Sequence, residues 1–219
     1  MNMKRTLLAI VAIALITAAF AAQGQSSAAV TNPVPDAVQA KYTKAIEGRT
    51  VDILRVLALN DQDKAAKVHD AIIAQYRALK AWHDENDAKL KAAVRDTNAV
   101  ANIRASLKTL HAEFLSRLAE NLTPEQIDQV KDKMTYGKVR FTFAGYQASY
   151  PNLSQANRDK ILELLKEARE DAMDGGSAEE KTAIFQKYKG RINNYLSKQG
   201  IHPEKPKAAA APSTNAAAK

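Results

Sequence analysis

The chain reads as an all-α protein, an antiparallel helical bundle of about six or seven helices built from an N-terminal long-helix hairpin and a C-terminal helical hairpin. Three observations predict this. Apolar residues recur three and four apart over most of the chain, the period of a helix with one buried face. Only eight glycines punctuate 219 residues, and strand-like alternation is almost absent. Several segments open with a capping side chain, the mark of a helix start.

The first helix is expected from about Asp36 to Leu59, with Gly48 a weak point inside it. A second follows from about Asp61 to Arg95, its stripe formed by Val68, Ile72, Leu79, Leu90 and Val94. "DTN" at Asp96–Asn98 turns the chain into a third helix, about Ala99 to Ala119, with Ile103, Leu107, Leu110, Phe114 and Leu118 on one side. The fourth is short. "LTPEQIDQVKDKMTYG" supplies a cap in Thr123, a proline suited to the first helical position in Pro124, and a capping-box partner in Gln126. Leu122 is placed to staple its entry.

"KVRFTFAGYQASYP" is ambiguous. Val139, Phe141 and Phe143 alternate as in a strand, whereas Phe143, Tyr146 and Tyr150 recur at helical spacing. A lone strand has no partner for its backbone hydrogen bonds, so a short helix is favoured. A sixth helix spans about Ser154 to Asp174, with Ile161, Leu164, Leu165, Ala168 and Ala172 inward, and Gly175–Gly176 end it. Ser177 and Glu180 form the capping-box pattern of a seventh, which runs to about Gln199. The short fourth helix is expected to be a corner between the two hairpins, with Phe141 to Tyr150 packed between them.

The flanks differ in composition. Lys4 and Arg5 precede the uncharged run Thr6–Ala19 and the small-residue site Ala19-Phe20-Ala21, the order of a cleaved signal peptide. The run is shorter than the roughly 20 apolar residues of a membrane span. The expected organisation is therefore 1–21 signal peptide, 22–35 flexible leader, 36–202 one helical domain and 203–219 a disordered Ala/Pro/Lys tail. The expected location is periplasmic or extracellular, with no stable membrane anchor after cleavage.

Charge and cysteine content narrow the function. The net charge of +8 includes two units from Lys4 and Arg5 and a net two from the tail beyond Ile201, which leaves +4 dispersed over the folded part. That is no clustered basic face, and nucleic acid is not expected as a partner. The absence of cysteine removes disulfides, thiolate nucleophiles and thiolate metal sites. No G-x-S-x-G, Gly-rich phosphate loop or H-E-x-x-H occurs, so no catalytic residues and no cofactor are assigned. The acidic pairs Asp84-Glu85 and Glu170-Asp171 read as solvated, because adjacent helical residues point apart.

A few polar residues remain as binding candidates. His83 falls within the second helix's stripe and His111 beside the third's; Thr97 lies midway between them, so a hairpin brings both rings to one level, near Trp82 and Leu110. With Asp84 or Glu113 at hand they could titrate as a pair or hold a metal. The alternative is that each ring packs at a helix interface and hydrogen-bonds a neighbour, and no metal site is assigned. His69 is expected to face solvent and His202 to lie at the domain's edge. Ile184, Tyr188, Ile192 and Tyr195 are the expected buried stripe of the seventh helix, and Arg191 projects along it. Equal distance from Gly176 offers Glu163 or Glu167 as its ion-pair partner. Asn193, Asn194 and Tyr195 could line a polar groove with Tyr136.

"LTPEQ" resembles the L-T-x-x-Q motif of periplasmic stress chaperones of the Spy and CpxP type, and "LSQAN" and "LNDQD" echo it, through internal duplication or simply through good capping. A longer resemblance covers about residues 40–202. "LTPEQIDQVKDKMTYG", "AREDAMDGGSAEEK" and "KYKGRINNYLSKQG", in that order, are similar to an uncharacterised family of secreted bacterial proteins known only as a domain of unknown function. That resemblance implies a secreted helical domain without established activity and, through accompanying genes, a link to polysaccharide degradation. The expected role is a non-enzymatic binding protein, chaperone-like toward unfolded or envelope protein clients. The alternatives are a carbohydrate-associated accessory protein binding glycan through Trp82 and tyrosines, and a metal-binding or hydrolytic protein using His83 and His111.

Overall fold

The computed structural model describes residues 36–204; the expected signal peptide, the leader and all but the start of the tail lie outside them. Seven helices account for the described residues: α1 Asp36–Leu57, α2 Gln62–Ala92, α3 Thr97–Ala119, α4 Pro124–Met134, α5 Lys138–Ser149, α6 Gln155–Met173 and α7 Ala178–Lys198. Local chemistry sets their starts. Asp61, Asp96, Thr123, Ser154 and Ser177 each accept a backbone N–H of the first turn that they cap. At Thr123 the capping box is complete, since Gln126 reaches back to the Thr123 N–H. At Ser177 it is diverted: Glu180 accepts from the N–H of Gly176 instead, at 2.8 Å. "KVRFTFAGYQAS" is helical, as the Phe143–Tyr146–Tyr150 spacing required.

Two hairpins frame the molecule, α2 with α3 and α6 with α7; α1 packs on α2 and α5 on α6. The main cluster of the first half joins Ile46, Ile53, Val68, Ile72, Phe114 and Leu118 with Leu122, Val130 and Met134 around α4. A second joins Tyr146, Ile161, Leu165, Phe185, Ile192 and Leu196. Met173, at the end of α6, belongs to the first cluster, so the C-terminal hairpin is anchored in the N-terminal half by the last residue of its first helix. α4 touches α1, α3 and α6, which makes it the corner between the halves.

Some packing expectations need correction. Phe141 is exposed and carries Arg140 over its ring at 4.6 Å. The aromatic segment therefore does not fill the space between the hairpins; α5 lies on the outside of α6 and commits Val139 and Tyr146 to the second cluster. Val94 is exposed, because α2 ends two residues before it. In α7 the buried face is Lys181, Phe185, Tyr188, Ile192 and Leu196, rotated from the expected stripe, and Ile184 and Tyr195 are only half-buried. Among the described residues no helix is long and apolar enough to cross a membrane.

Candidate functional site

The tight turn Asp174–Ser177 between α6 and α7 is the pivot of the polar interior. Gly176 lies flat on the His83 ring, where a Cβ would come within 2.7 Å of Cγ. Gly175 lies against Lys181, where a Cβ would come within 3.0 Å of Cγ. A side chain at Gly176 would force the ring or the turn to shift, and one at Gly175 would press Lys181 aside by a few tenths of an ångström. His83 then donates from Nε2 to the Asp174 carbonyl at 2.8 Å, while its Nδ1 faces the Asp87 carboxylate at 2.9 Å. A ring that donates on one side and meets a carboxylate on the other favours the doubly protonated form. Although burial opposes the charge, the Asp174 carbonyl and Asp87 raise the His83 pKa above its ordinary value.

On the α3 and α4 side of the turn lies a closed ion cluster. His111 Nδ1 meets the Asp174 carboxylate at 2.8 Å and Nε2 faces Glu170 at 3.5 Å. The hydrogen bonds to Asp174 and Glu170 outweigh burial and push His111 up to about 9. Glu170 also accepts from Lys131 at 2.8 Å. Burial would raise the Glu170 pKa, but His111, Lys131 and the nearby Arg169 hold it at about 2. Buried Arg169 reaches from α6 to two carboxylates on α4, Asp128 at 2.7 Å and Asp132 at 2.8 Å. These residues lock the corner helix to the C-terminal hairpin.

The other side of the turn is open. A cleft of about 530 Å³ lies between α1, α2, Tyr136 and the start of α7. Tyr42 and Tyr136 supply its aromatic surface over the buried Tyr76, and Arg49, Lys80, His83 and Lys181 its basic groups. The Tyr42 hydroxyl donates to the Tyr76 carbonyl at 2.7 Å, which fixes one wall. Burial pushes the Tyr76 phenol up to about 12, so it stays a neutral donor. Tyr136 is held with φ of +60°, in the left-handed region that costs a non-glycine residue roughly 1 kcal/mol or more. The strain is accommodated where α4 ends, as Gly137 (φ +63°) donates back to the Asp132 carbonyl at 2.7 Å. A second cavity of about 610 Å³ adjoins the cleft through Arg49, Tyr76 and Tyr136, with Val56, Phe141 and Arg140 farther along.

A family described as "Protein of unknown function (DUF3826)" matches residues 43–211. The chain belongs to that family. A curated protein, ubiquitin carboxyl-terminal hydrolase 9Y of Mus musculus, is 35% identical over 71 residues, which is 32% of this chain and 2% of that protein. The chain thus spans about 2% of that relative's length, too little to bear on activity.

Within this family member the candidates read from the sequence separate. His83 and His111 do reach one level, but they meet at Asp174, one at its carbonyl and the other at its carboxylate. Their other partners are Asp87 and Glu170, not Asp84 and Glu113. Among the described residues no three His, Asp or Glu side chains are arranged to hold a metal ion. Trp82 is buried, edge-on to His83, and donates its indole N–H to Ser106 at 2.9 Å. It is therefore not a stacking surface. Tyr136 lines the cleft, whereas Asn194 is exposed on α7; Asn193 accepts from Tyr146 in another cavity, so the Tyr136–Asn194 groove does not form. Arg191 pairs with Glu167 at 3.1 Å, but it is exposed and lies over the Tyr188 ring. Glu170 and Asp171 are not free: Glu170 is in the ion cluster and Asp171 accepts from Tyr188. His69 is half-buried between Glu47 and Asp70, and His202 is exposed. Tyr42, Arg49, Tyr76 and Lys181 escaped the sequence reading. The signal for Lys181 was its place one turn before Phe185 on the face that continues through Tyr188, Ile192 and Leu196.

Proposed function

We propose that this protein is a non-enzymatic binding protein of the cell envelope or exterior, and that its ligand is a glycan fragment held in the cleft between α1, α2 and the α6–α7 turn. The exposed Tyr136 and the half-buried Tyr42, facing one cleft floored by the buried Tyr76, carry the reading. Sugars are bound by flat rings that cover C–H faces and by fixed polar groups that meet hydroxyls. The cleft's volume of about 530 Å³ lies within the usual range of roughly 300–1,000 Å³ for small-molecule sites. Its acids are largely committed: Asp84 binds Lys80, Asp87 binds His83 and Glu180 binds the Gly176 N–H. Such groups orient a ligand and are poorly placed to exchange protons with one. The chain's single tryptophan, Trp82, is buried, which counts against a glycan and leaves the tyrosines as the stacking groups.

The test is a screen of neutral and acidic oligosaccharides by calorimetry, with wild type and Tyr136→Ala compared. Binding by wild type and at least a tenfold loss in the variant is expected. If no glycan binds, or if Tyr136→Ala binds as well as wild type, the glycan reading is abandoned.

A second reading rests on the adjoining cavity. Val56, Tyr136 and Phe141 are exposed there beside Arg49, Lys133 and Arg140, the apolar face with a basic rim that a chaperone-like protein needs. Suppression of aggregation of a denatured protein, weakened by Phe141→Ser, would favour it over the glycan.

A further inference from the structure

The charges lining the cleft can be paired off. Lys80 is bound to Asp84 at 2.6 Å, and His83 to Asp87 at 2.9 Å. The Glu180 carboxylate is held by the Gly176 N–H at 2.8 Å. Glu179 sits exposed in the first turn of α7, where the helix terminus favours a negative charge. Beside Glu179, two cations have no ion-pair partner among the described residues. Arg49, exposed on α1, makes no ion pair among the described residues. Lys181 is only 5% exposed, and its ammonium donates to a single group, the Met173 carbonyl at 3.3 Å, with no carboxylate within 4 Å.

A buried ammonium without a carboxylate is expensive, and a second cation beside it adds to the cost. Both effects register on Lys181. Burial is the larger and lowers its pKa to about 8; Asp174 and Glu180 act against that, while the charge of Arg49 pushes in the same direction as burial. The carboxylate of Asp174, the strongest opposing charge on Lys181, is occupied by His111 at 2.8 Å. Two like charges lining one cleft, with Asp84, Asp87 and Asp174 engaged by other cations, form a receptor for a negative group supplied from outside.

We infer that Lys181 and Arg49 form an oxyanion site, which takes a carboxylate, sulfate or phosphate group of the bound ligand. The inference depends on the cleft being the ligand site, as proposed above, but not on the ligand being a glycan. The oxyanion enters between the exposed Arg49 guanidinium and the buried Lys181 ammonium, and the tyrosine walls contact whatever carries it. A ligand with an acid group is thereby selected over its neutral counterpart.

Thermal unfolding of wild type, Lys181→Met and Arg49→Gln tests this, in chloride against sulfate, inorganic phosphate and glucuronate at matched ionic strength and pH 7. A near-saturating oxyanion is expected to raise the wild-type Tm by about 5 °C beyond chloride, and that of either variant by about 1 °C or less. A response to glucuronate alone assigns a carboxylate, and one to sulfate or phosphate assigns an ester. General stabilisation by sulfate or phosphate raises all three proteins equally, and that result overturns the inference, as does no rise at all. Arg49→Gln changes an exposed residue, so the comparison holds even if Lys181→Met folds poorly. The outcome also separates the two proposals. A neutral glycan bound without an oxyanion response leaves the glycan reading and removes this one, and an oxyanion response without any glycan does the reverse.

Discussion

Arg169 and Lys181 are both cations buried in the C-terminal hairpin, 4% and 5% exposed, on either side of the same turn. Arg169 meets Asp128 and Asp132 head-on, with Glu170, Lys131, His111 and Asp174 extending the cluster. Lys181 meets one backbone carbonyl. The fold can therefore neutralise a buried cation when its design calls for cohesion, as where α4 must be fixed to α6. That it leaves Lys181 without a carboxylate among the described residues, beside a tyrosine-lined cleft, is what the proposed oxyanion site would answer.

The contrast predicts opposite signs for one kind of substitution. Arg169→Met strips Asp128 and Asp132 of their cation and frees α4 from the hairpin. We expect a loss of about 3 kcal/mol in denaturant unfolding, at the lower end for broken buried pairs because both aspartates are half-exposed and regain water. A loss under about 0.5 kcal/mol would mean that the closed cluster contributes no cohesion, and the comparison would collapse.

The turn between the two regions is the next place to press. Gly176→Ala puts a methyl group 2.7 Å from the His83 ring, so the ring or the turn must shift and the bond from Nε2 to the Asp174 carbonyl is strained. Overpacking of this kind costs about 2 kcal/mol. Both sides should feel it, since Asp174 serves His83 with its carbonyl and His111 with its carboxylate. Nuclear magnetic resonance should show both imidazoles shifted. A shift of His83 alone would show that the turn does not couple the two regions.

Helices and hairpins were legible in the sequence because they depend on neighbours. The stripes of α2, α3 and α6 repeat within one element, and the caps at Thr123 and Ser177 need only three residues. Hairpin symmetry gave the common level of His83 and His111 and narrowed Arg191's partner to Glu163 or Glu167, of which Glu167 is the one it meets, since both follow from counting back from a turn. The closed cluster was illegible for the opposite reason. Arg169 finds Asp132 and Asp128 37 and 41 residues away, across a corner whose angle no local pattern encodes. Lys181 was hidden by its chemistry, because a lysine in the first turns of a helix reads as solvent-facing. The cleft was hidden because its tyrosines come from α1, α2 and the end of α4, and one of them needs a left-handed backbone that sequence does not announce.

The finest test compares pH dependence on the two sides. His111, raised from 6.5 to about 9, contributes stability that is complete below about 6.5 and is lost as pH rises through about 9. Glu170, lowered from 4.5 to about 2, contributes stability that is complete above about 4.5 and is lost as pH falls through about 2, damped by its partial exposure. The closed cluster is thus strongest between about pH 4.5 and 6.5. Lys181 behaves inversely. Its pKa is depressed from 10.5 to about 8, so its full cost is present below about 8 and is relieved as pH rises toward 10.5. Lys181→Met removes that cost, and a gain of about 1 kcal/mol is expected at pH 6, shrinking above pH 9. The same gain at pH 6 and pH 10 would trace it to packing of the methionine, and a loss at pH 6 would mean that Lys181 is compensated within the fold after all.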